Sequence, residues 1–220
     1  MKPKKSLLTV ILLCCFFLSS SLLYAQELKQ IKLPPPRTDG GKPLMQVLKE
    51  RSSFRSFSSE NLPAEVMSDL LWAAWGINRP ESGKRTAPSA SNRQEIDIYV
   101  VTADGVFVYD AAGHALNQVL TEDIRELTGS QPFVKDAPVN LVYVADFSKM
   151  GNADENQKYF YAAANTGFIS QNVYLYCTSE GLATVVRGLV DKPVLETAMK
   201  LRPEQKVILA QTVGYPKPAE

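Results

Sequence analysis

Apolar residues recur along this chain at two spacings. Leu44, Val47 and Leu48 fall at helical intervals and predict a short helix ending near residue 50. Val66, Leu70, Leu71, Ala74 and Trp75 mark the buried face of a second helix. It starts at Leu62-Pro63, where proline suits the first turn, and stops at Gly76. Ile96–Thr102 and Val106–Tyr109 are β-rich runs joined by Ala103-Asp104-Gly105, the mark of a hairpin. Thr121–Leu127, with Glu122 and Asp123 in its first turn, predicts a short helix, and Val139–Ala145 an apolar strand. Asp154–Glu180 contains no proline and reads as one long helix. Phe160, Ala163, Phe168, Ile169, Val173 and Tyr176 spread its apolar surface nearly all round, which implies burial in the core or in a subunit interface. Gly181 ends it. A strand at Ala183–Val186, a helix at Lys192–Leu201 and a strand at Val207–Val213 complete the pattern. Helices alternate with strands, but a hairpin intervenes, so an α+β fold is expected.

The first residues belong to a different pattern. Lys2, Lys4 and Lys5 precede an apolar run from Leu7 to Leu18 broken only by Thr9, and Leu22-Leu23-Tyr24-Ala25 follows a serine triplet. This is the layout of a secretory signal peptide cleaved after Ala25, the apolar run being short for a membrane span of about 20 residues. An uncleaved anchor is the alternative. The protein is therefore expected to be exported, periplasmic or secreted. Residues 26–43, with Pro34-Pro35-Pro36 and Gly40-Gly41, read as an extended lead. After cleavage one cysteine, Cys177, and one histidine, His114, remain. They supply neither an internal disulfide nor a Cys/His metal set, so no metal is expected. Cys177, in an apolar helical pattern, reads as a packing residue. The 220 residues carry 24 basic and 23 acidic side chains, a net charge of +1, which argues against nucleic acid as a partner.

Three stretches could carry chemistry. Residues 50–57 read Glu-Arg-Ser-Ser-Phe-Arg-Ser-Phe. Whether extended or in a final helical turn, Arg51 and Arg55 share a face, with Ser53 between them in the extended case. Two guanidinium forks suit a phosphate dianion, and burial of Phe57 would fix the backbone. A solvated surface is the plain alternative. Residues 86–94, Thr-Ala-Pro-Ser-Ala-Ser-Asn-Arg-Gln, run into the Ile96 strand. Small residues there would let a flat ligand approach, and Asn92 and Gln94 could read a heteroaromatic edge, although a turn alone has the same composition. At Ser179-Glu180-Gly181-Leu182-Ala183-Thr184 the long helix gives way to a strand. Gly181 there is a helix cap that could also let backbone groups face a ring.

Together these stretches resemble the nitroreductase family of flavin enzymes. Residues 51–57 are similar to its Arg-x-Ser-x-Arg/Lys-x-Phe flavin-phosphate motif, and Pro88 to Gln94 to its Pro-Ser-x-x-Asn-x-Gln loop. Gly181-Leu182-Ala183 is similar to its Gly-Leu-Gly/Ala motif, and Gly214-Tyr215-Pro216 to its terminal Gly-Tyr-Pro. The resemblance spans residues 44–216. It implies a nitroreductase-like α+β fold with a central mixed, mainly antiparallel sheet and a long buried helix. It also implies a homodimer with FMN at the subunit interface. Arg51, Ser52, Ser53 and Arg55 would hold the phosphate and ribityl chain. Pro88, Ser89, Ala90 and Asn92 would lie along the isoalloxazine ring, Asn92 at its edge, and Gly181 and Leu182 would approach from the other side. Many members carry a basic pair after Gly-Tyr-Pro, whereas Lys217 is alone here.

What the resemblance implies chemically is an FMN-dependent oxidoreductase moving hydride or electrons between a donor and a small organic substrate in two half-reactions. No triad and no paired carboxylates are evident, and no acid or base residue is named. Export raises the question of the donor, because nicotinamide nucleotides are cytoplasmic, so a different electron donor is expected. The alternative is a non-catalytic dimer that kept the fold and binds a flavin or another planar ligand.

Overall fold

The computed structural model describes residues 28–217, and the leader expected at 1–25 lies outside them. Along the chain run β1 (Gln30–Lys32), α1 (Leu44–Glu50), α2 (Ala64–Trp75), β2 (Ile77–Arg79), β3 (Lys84–Arg85), β4 (Ile96–Thr102), β5 (Gly105–Asp110) and β6 (Ala115–Leu120). They are followed by β7 (Val139–Asp146), α3 (Glu155–Glu180), β8 (Ala183–Arg187), α4 (Lys192–Ala198) and β9 (Gln205–Gly214). Seven strands form one sheet in the order β1-β6-β5-β4-β7-β9-β8, and β2 and β3 form a separate ribbon. All six pairings of the large sheet are antiparallel, so the expected mainly antiparallel sheet contains no parallel pair. The fold is α+β.

Inside the sheet β7 lies between β4 and β9 and is buried at all eight positions. A strand covered on both faces has no solvent side on which to place alternate polar residues, which is why it reads as a continuous apolar run. One face packs against α2 and α3 through Leu70, Leu71, Ile98, Leu141, Tyr143, Ile169 and Val173. Each of these buried side chains stabilises the fold by about 1.5–3 kcal/mol. The other face packs through Val101, Val142, Val144 and Leu195 of α4.

The long helix α3 is capped at both ends by its own sequence. Asp154 Oδ1 accepts from the N–H of Gln157 at 2.9 Å. A cap of this kind is worth about 1 kcal/mol. At the far end Gly181 turns left-handed with φ +73°, as the cap reading predicts. Ala162, Thr166, Ile169, Val173 and Cys177 form the buried stripe, whereas Phe160 is 68% and Phe168 49% exposed. Within one chain only one stripe of α3 is covered, which leaves the other apolar positions to the subunit-interface alternative. Cys177 lies in that stripe, fully buried, its thiol pKa pushed up by desolvation, as a packing residue would be.

One expectation changes and another gains detail. Thr121–Leu127 is not an α-helix; a single 3-10 turn covers Arg125–Thr128. Its acidic residues are the cause, since Asp123 Oδ1 takes the N–H of Arg125 and Glu122 takes that of Thr121. Such local side-chain bonds compete with the helix. The extended lead supplies β1, which pairs with β6 from Gln30↔Asn117 to Lys32↔Ala115 at the edge of the sheet.

Candidate functional site

Arg51 caps the C-terminus of α1, donating its N–H to Val47 O at 2.8 Å, and the chain leaves the helix there at ψ 121°. The next residues run along the outer edge of the sheet, where the Phe54 N–H donates to Thr184 O at 2.9 Å. Phe57 then forms an antiparallel bridge with Pro216. Ser58 N–H donates to Tyr215 O, and Lys217 N–H to Ser56 O. The C-terminal segment thus pins residues 56–58 from the opposite side. Phe57 is 7% exposed and packs on Phe133, Ala137, Ala183 and Val185, which anchors the segment by burial as expected.

Tyr174 of α3 organises the other side. Its hydroxyl accepts the N–H of Val186 at 3.0 Å and lies 2.9 Å from Ser53 Oγ. The Arg51 guanidinium lies over its ring at 5.3 Å. Arg51 and Ser53 thus share one partner and one side. Among the described residues, neither Arg51 nor Arg55 forms an ion pair or a side-chain hydrogen bond, so both forks are unspent. The nearby carboxylate of Glu50 is held below the usual range by hydrogen bonds from Lys42 and Gln46, both at 2.8 Å. Its charge is offset locally rather than left facing the arginines.

A cleft of about 190 Å³ opens beside this segment, lined by Ser52, Phe54, Gly181, Leu182 and Pro216 with Glu50, Thr178 and Ala183. The first, third and terminal stretches meet here. A Cβ at Gly181 would find no atom within 4 Å, so open space lies in front of the helix end. The N–H groups of Gly181 and Leu182 both donate to Cys177 O. These two residues shape the cleft, but their amide hydrogens are already used within the fold.

The loop at 88–94 lies elsewhere. Ser91, Asn92 and Gln94 all take positive φ (54°, 51° and 47°), a conformation that costs L-residues about 1–2 kcal/mol each. Two sets of bonds hold it there. The Ala90 N–H donates to Asn165 Oδ1 at 3.3 Å, and Asn165 Nδ2 donates to the fully buried Glu95 at 2.6 Å. On the other side Arg85 Nε donates to Gln94 Oε1 at 2.7 Å, and Gln94 Nε2 donates to Gly83 O and to Asn92 Oδ1. Pro88, Ser91 and Asn92 are exposed. This loop anchors at Asn165, whereas residues 51–53 anchor at Tyr174. The helix rises about 14 Å between those two positions. One chain therefore brings Ser52, Gly181 and Leu182 together and leaves Pro88, Ser89, Ala90 and Asn92 apart from them.

Four important residues were not singled out from the sequence: Tyr174, Asn165, Glu95 and Arg85. Asn165 and Tyr174 leave a signal, because each falls beside the apolar stripe of α3 and is buried in spite of its polarity. Glu95 and Arg85 leave none, since their roles come from tertiary contacts. Trp75 is buried beneath Arg85 at 4.9 Å, and Tyr159 packs edge-on against Phe147, so both are packing residues. Among the described residues no group of His, Cys, Asp and Glu could hold a metal ion, and no helix is long and apolar enough to cross a membrane.

This arrangement has known relatives. The model of the nitroreductase family matches residues 48–215. A candidate nitroreductase of Methanocaldococcus jannaschii is 31% identical over 169 residues, covering 72% of this chain and 85% of that one. The crystal structure of a candidate nitroreductase from Ralstonia eutropha superposes with a TM-score of 0.83 at 40% identity, covering 86% of this chain and 90% of that one. One from Desulfovibrio desulfuricans, solved in complex with FMN, superposes with a TM-score of 0.59 at 22% identity over 81% of this chain and 89% of that one. The chain belongs to the nitroreductase family, a family of oxidoreductases.

Proposed function

We propose that the protein is an FMN-dependent oxidoreductase acting as a homodimer. The observation that carries this reading is the convergence of Ser52, Gly181, Leu182 and Pro216 on one cleft beside two arginines with unspent forks. A whole cofactor of this size needs a pocket of about 300–1,000 Å³. The 190 Å³ cleft offers less, which fits a site completed by the 88–94 loop of a second copy. Apolar side chains exposed on the adjoining helices α1 (Leu44, Met45, Leu48) and α3 (Phe160, Phe168) support such a partner.

Bound FMN would supply a two-electron carrier able to take hydride from a donor and pass it to an acceptor. The chain's own part is to bind and orient. Arg51 and Arg55 would neutralise the phosphate, with Ser52 and Ser53 adding hydroxyls. Gly181 and Leu182 would offer a flat wall, and Pro88, Ser89, Ala90 and Asn92 of the partner copy would lie along the ring. The substrate is a small organic molecule. With export after cleavage at Ala25, the physiological donor is something other than a nicotinamide nucleotide. Rapid flavin reduction by micromolar NADPH in stopped flow would count against that donor assignment.

The test of the cofactor is the visible absorption spectrum of the purified protein with and without added FMN. A flavin spectrum is expected, and Arg51→Ala should weaken FMN binding about 10- to 100-fold, the worth of one charge-assisted hydrogen bond. Sedimentation should give a dimer. A colourless protein that refuses FMN overturns the reading.

A further inference from the structure

The strained loop at 88–94 contains a hydrogen-bond chain whose direction is forced. Arginine has only donors and does not lose its proton. Arg85 is fixed in place by stacking over the Trp75 ring at 4.9 Å and by donating from Nη1 to Trp75 O at 2.9 Å. Its Nε then donates to Gln94 at 2.7 Å, so the atom of Gln94 that faces it must be the amide oxygen. The Gln94 amide nitrogen consequently points the other way, where it donates to Gly83 O at 3.0 Å and to Asn92 at 3.2 Å. A nitrogen facing Asn92 demands an oxygen in return. Turning either amide over would set donor against donor. Asn92 Oδ1 is therefore committed to Gln94, and its Nδ2, at an exposed position, has no hydrogen-bond partner among the described residues and is left to donate elsewhere. The main chain agrees: Gln94 keeps a φ of 47° while its own N–H is taken by Ser89 Oγ at 3.1 Å, so the side chain cannot swing free of the loop.

We infer that Arg85 and Gln94 are positioning residues that present Asn92 as a hydrogen-bond donor, so that this loop reads an acceptor atom on the edge of the bound ring, a carbonyl oxygen or an unprotonated ring nitrogen. This rests on the flavin reading above. It adds two residues outside the ring-contacting set and a polarity to the contact. Gln94→Glu removes the donor that faces Asn92 and leaves only acceptors there. The Asn92 amide then turns over and offers its oxygen to an acceptor on the ring.

The experiment is a titration of the purified protein with FMN, followed by quenching of flavin fluorescence, in a double-mutant cycle. Gln94→Glu should weaken FMN binding by about tenfold or more in the native background. In an Asn92→Ala background, with no amide left to invert, the same change should alter the affinity by less than about twofold. Arg85→Met should weaken binding severalfold, again only when Asn92 is present, and Arg85→Lys, another donor-only side chain, should restore it. The Arg85 series also decides the matter if Gln94→Glu fails to fold. Equal weakening with and without Asn92 would mean that the loop has merely been disrupted, and it overturns the relay, as does no weakening at all. Failure of the unaltered protein to take up FMN overturns the flavin reading itself, and the assignment with it.

Discussion

Residues 51–57 and residues 88–94 are both short, irregular and polar, yet they are held by opposite means. The first segment is fastened mainly through its backbone, to Thr184 on the edge strand and to Tyr215 and Lys217, with the Phe57 side chain buried beneath it. Its arginines are left over for other partners. The second is fastened through side chains: Asn165, Glu95, Arg85 and Gln94 hold a backbone with three residues at positive φ. Backbone fastening tolerates exchange of side chains. Side-chain fastening concentrates the cost in a few residues, because each removal leaves a buried group unpartnered.

Asn165→Leu tests this most severely. It strips the fully buried Glu95 carboxylate and the Ala90 N–H of their partner, and should cost about 3 kcal/mol, roughly 6–12 °C in melting temperature for a domain of this size. Removing both partners together, Glu95→Leu with Asn165→Leu, should recover much of the loss, because no stranded carboxylate remains. A thermal melt of the double variant as low as that of the single one would show that packing, not the polar pair, holds the loop. At the other segment Tyr174→Phe keeps the ring under Arg51, strands the Val186 N–H and takes the hydroxyl partner from Ser53. The expected cost is about 1–2 kcal/mol in a denaturant titration. Gly181→Ala meets no atom within 4 Å, so its cost is purely conformational, about 1 kcal/mol for the left-handed φ.

The smallest effect is one of pH. His114 Nε2 sits 2.7 Å from Ser68 Oγ, whose own proton goes to Pro34 O at 2.6 Å, and Nδ1 sits 3.0 Å from the Tyr109 hydroxyl. Nε2 must therefore donate, and in the neutral ring Nδ1 accepts from the Tyr109 hydroxyl. Burial holds the folded pKa of His114 below its ordinary value; the Pro34 carbonyl opposes this, Lys32 adds to it, and Asp69 opposes it least. The unfolded chain then takes up the proton first as the pH falls. Stability should be constant above about pH 6.5 and decline below it until the folded ring also protonates. Melts between pH 7.5 and 5.5 should show the decline, and His114→Gln should flatten it.

Much of the frame was legible because it rests on local pattern. Ile96–Thr102 is a strand over the predicted residues, and Val139–Asp146 extends the predicted run by one, both being apolar stretches in the centre of the sheet. Strand Ala115–Leu120 was not legible. Its Asn117 and Gln118 are poor strand formers, and it exists because β5 and β1 pair on either side of it. Gly181 as a cap and Phe57 as an anchor could be read, since both depend on one residue's own preference. That Asn165 steadies the 88–94 loop could not, because the bond joins residues far apart in sequence and only the tertiary fold sets them side by side.

The pairing of Phe57 with Pro216 has a consequence in time. A ribosome makes the arginine segment long before β9 and the Tyr215–Lys217 segment that pins it, so the bridge, and with it the fixed course of residues 56–58, can form only after β9 has been made. Removing Tyr215, Pro216 and Lys217 should loosen that segment while leaving most of the core in place.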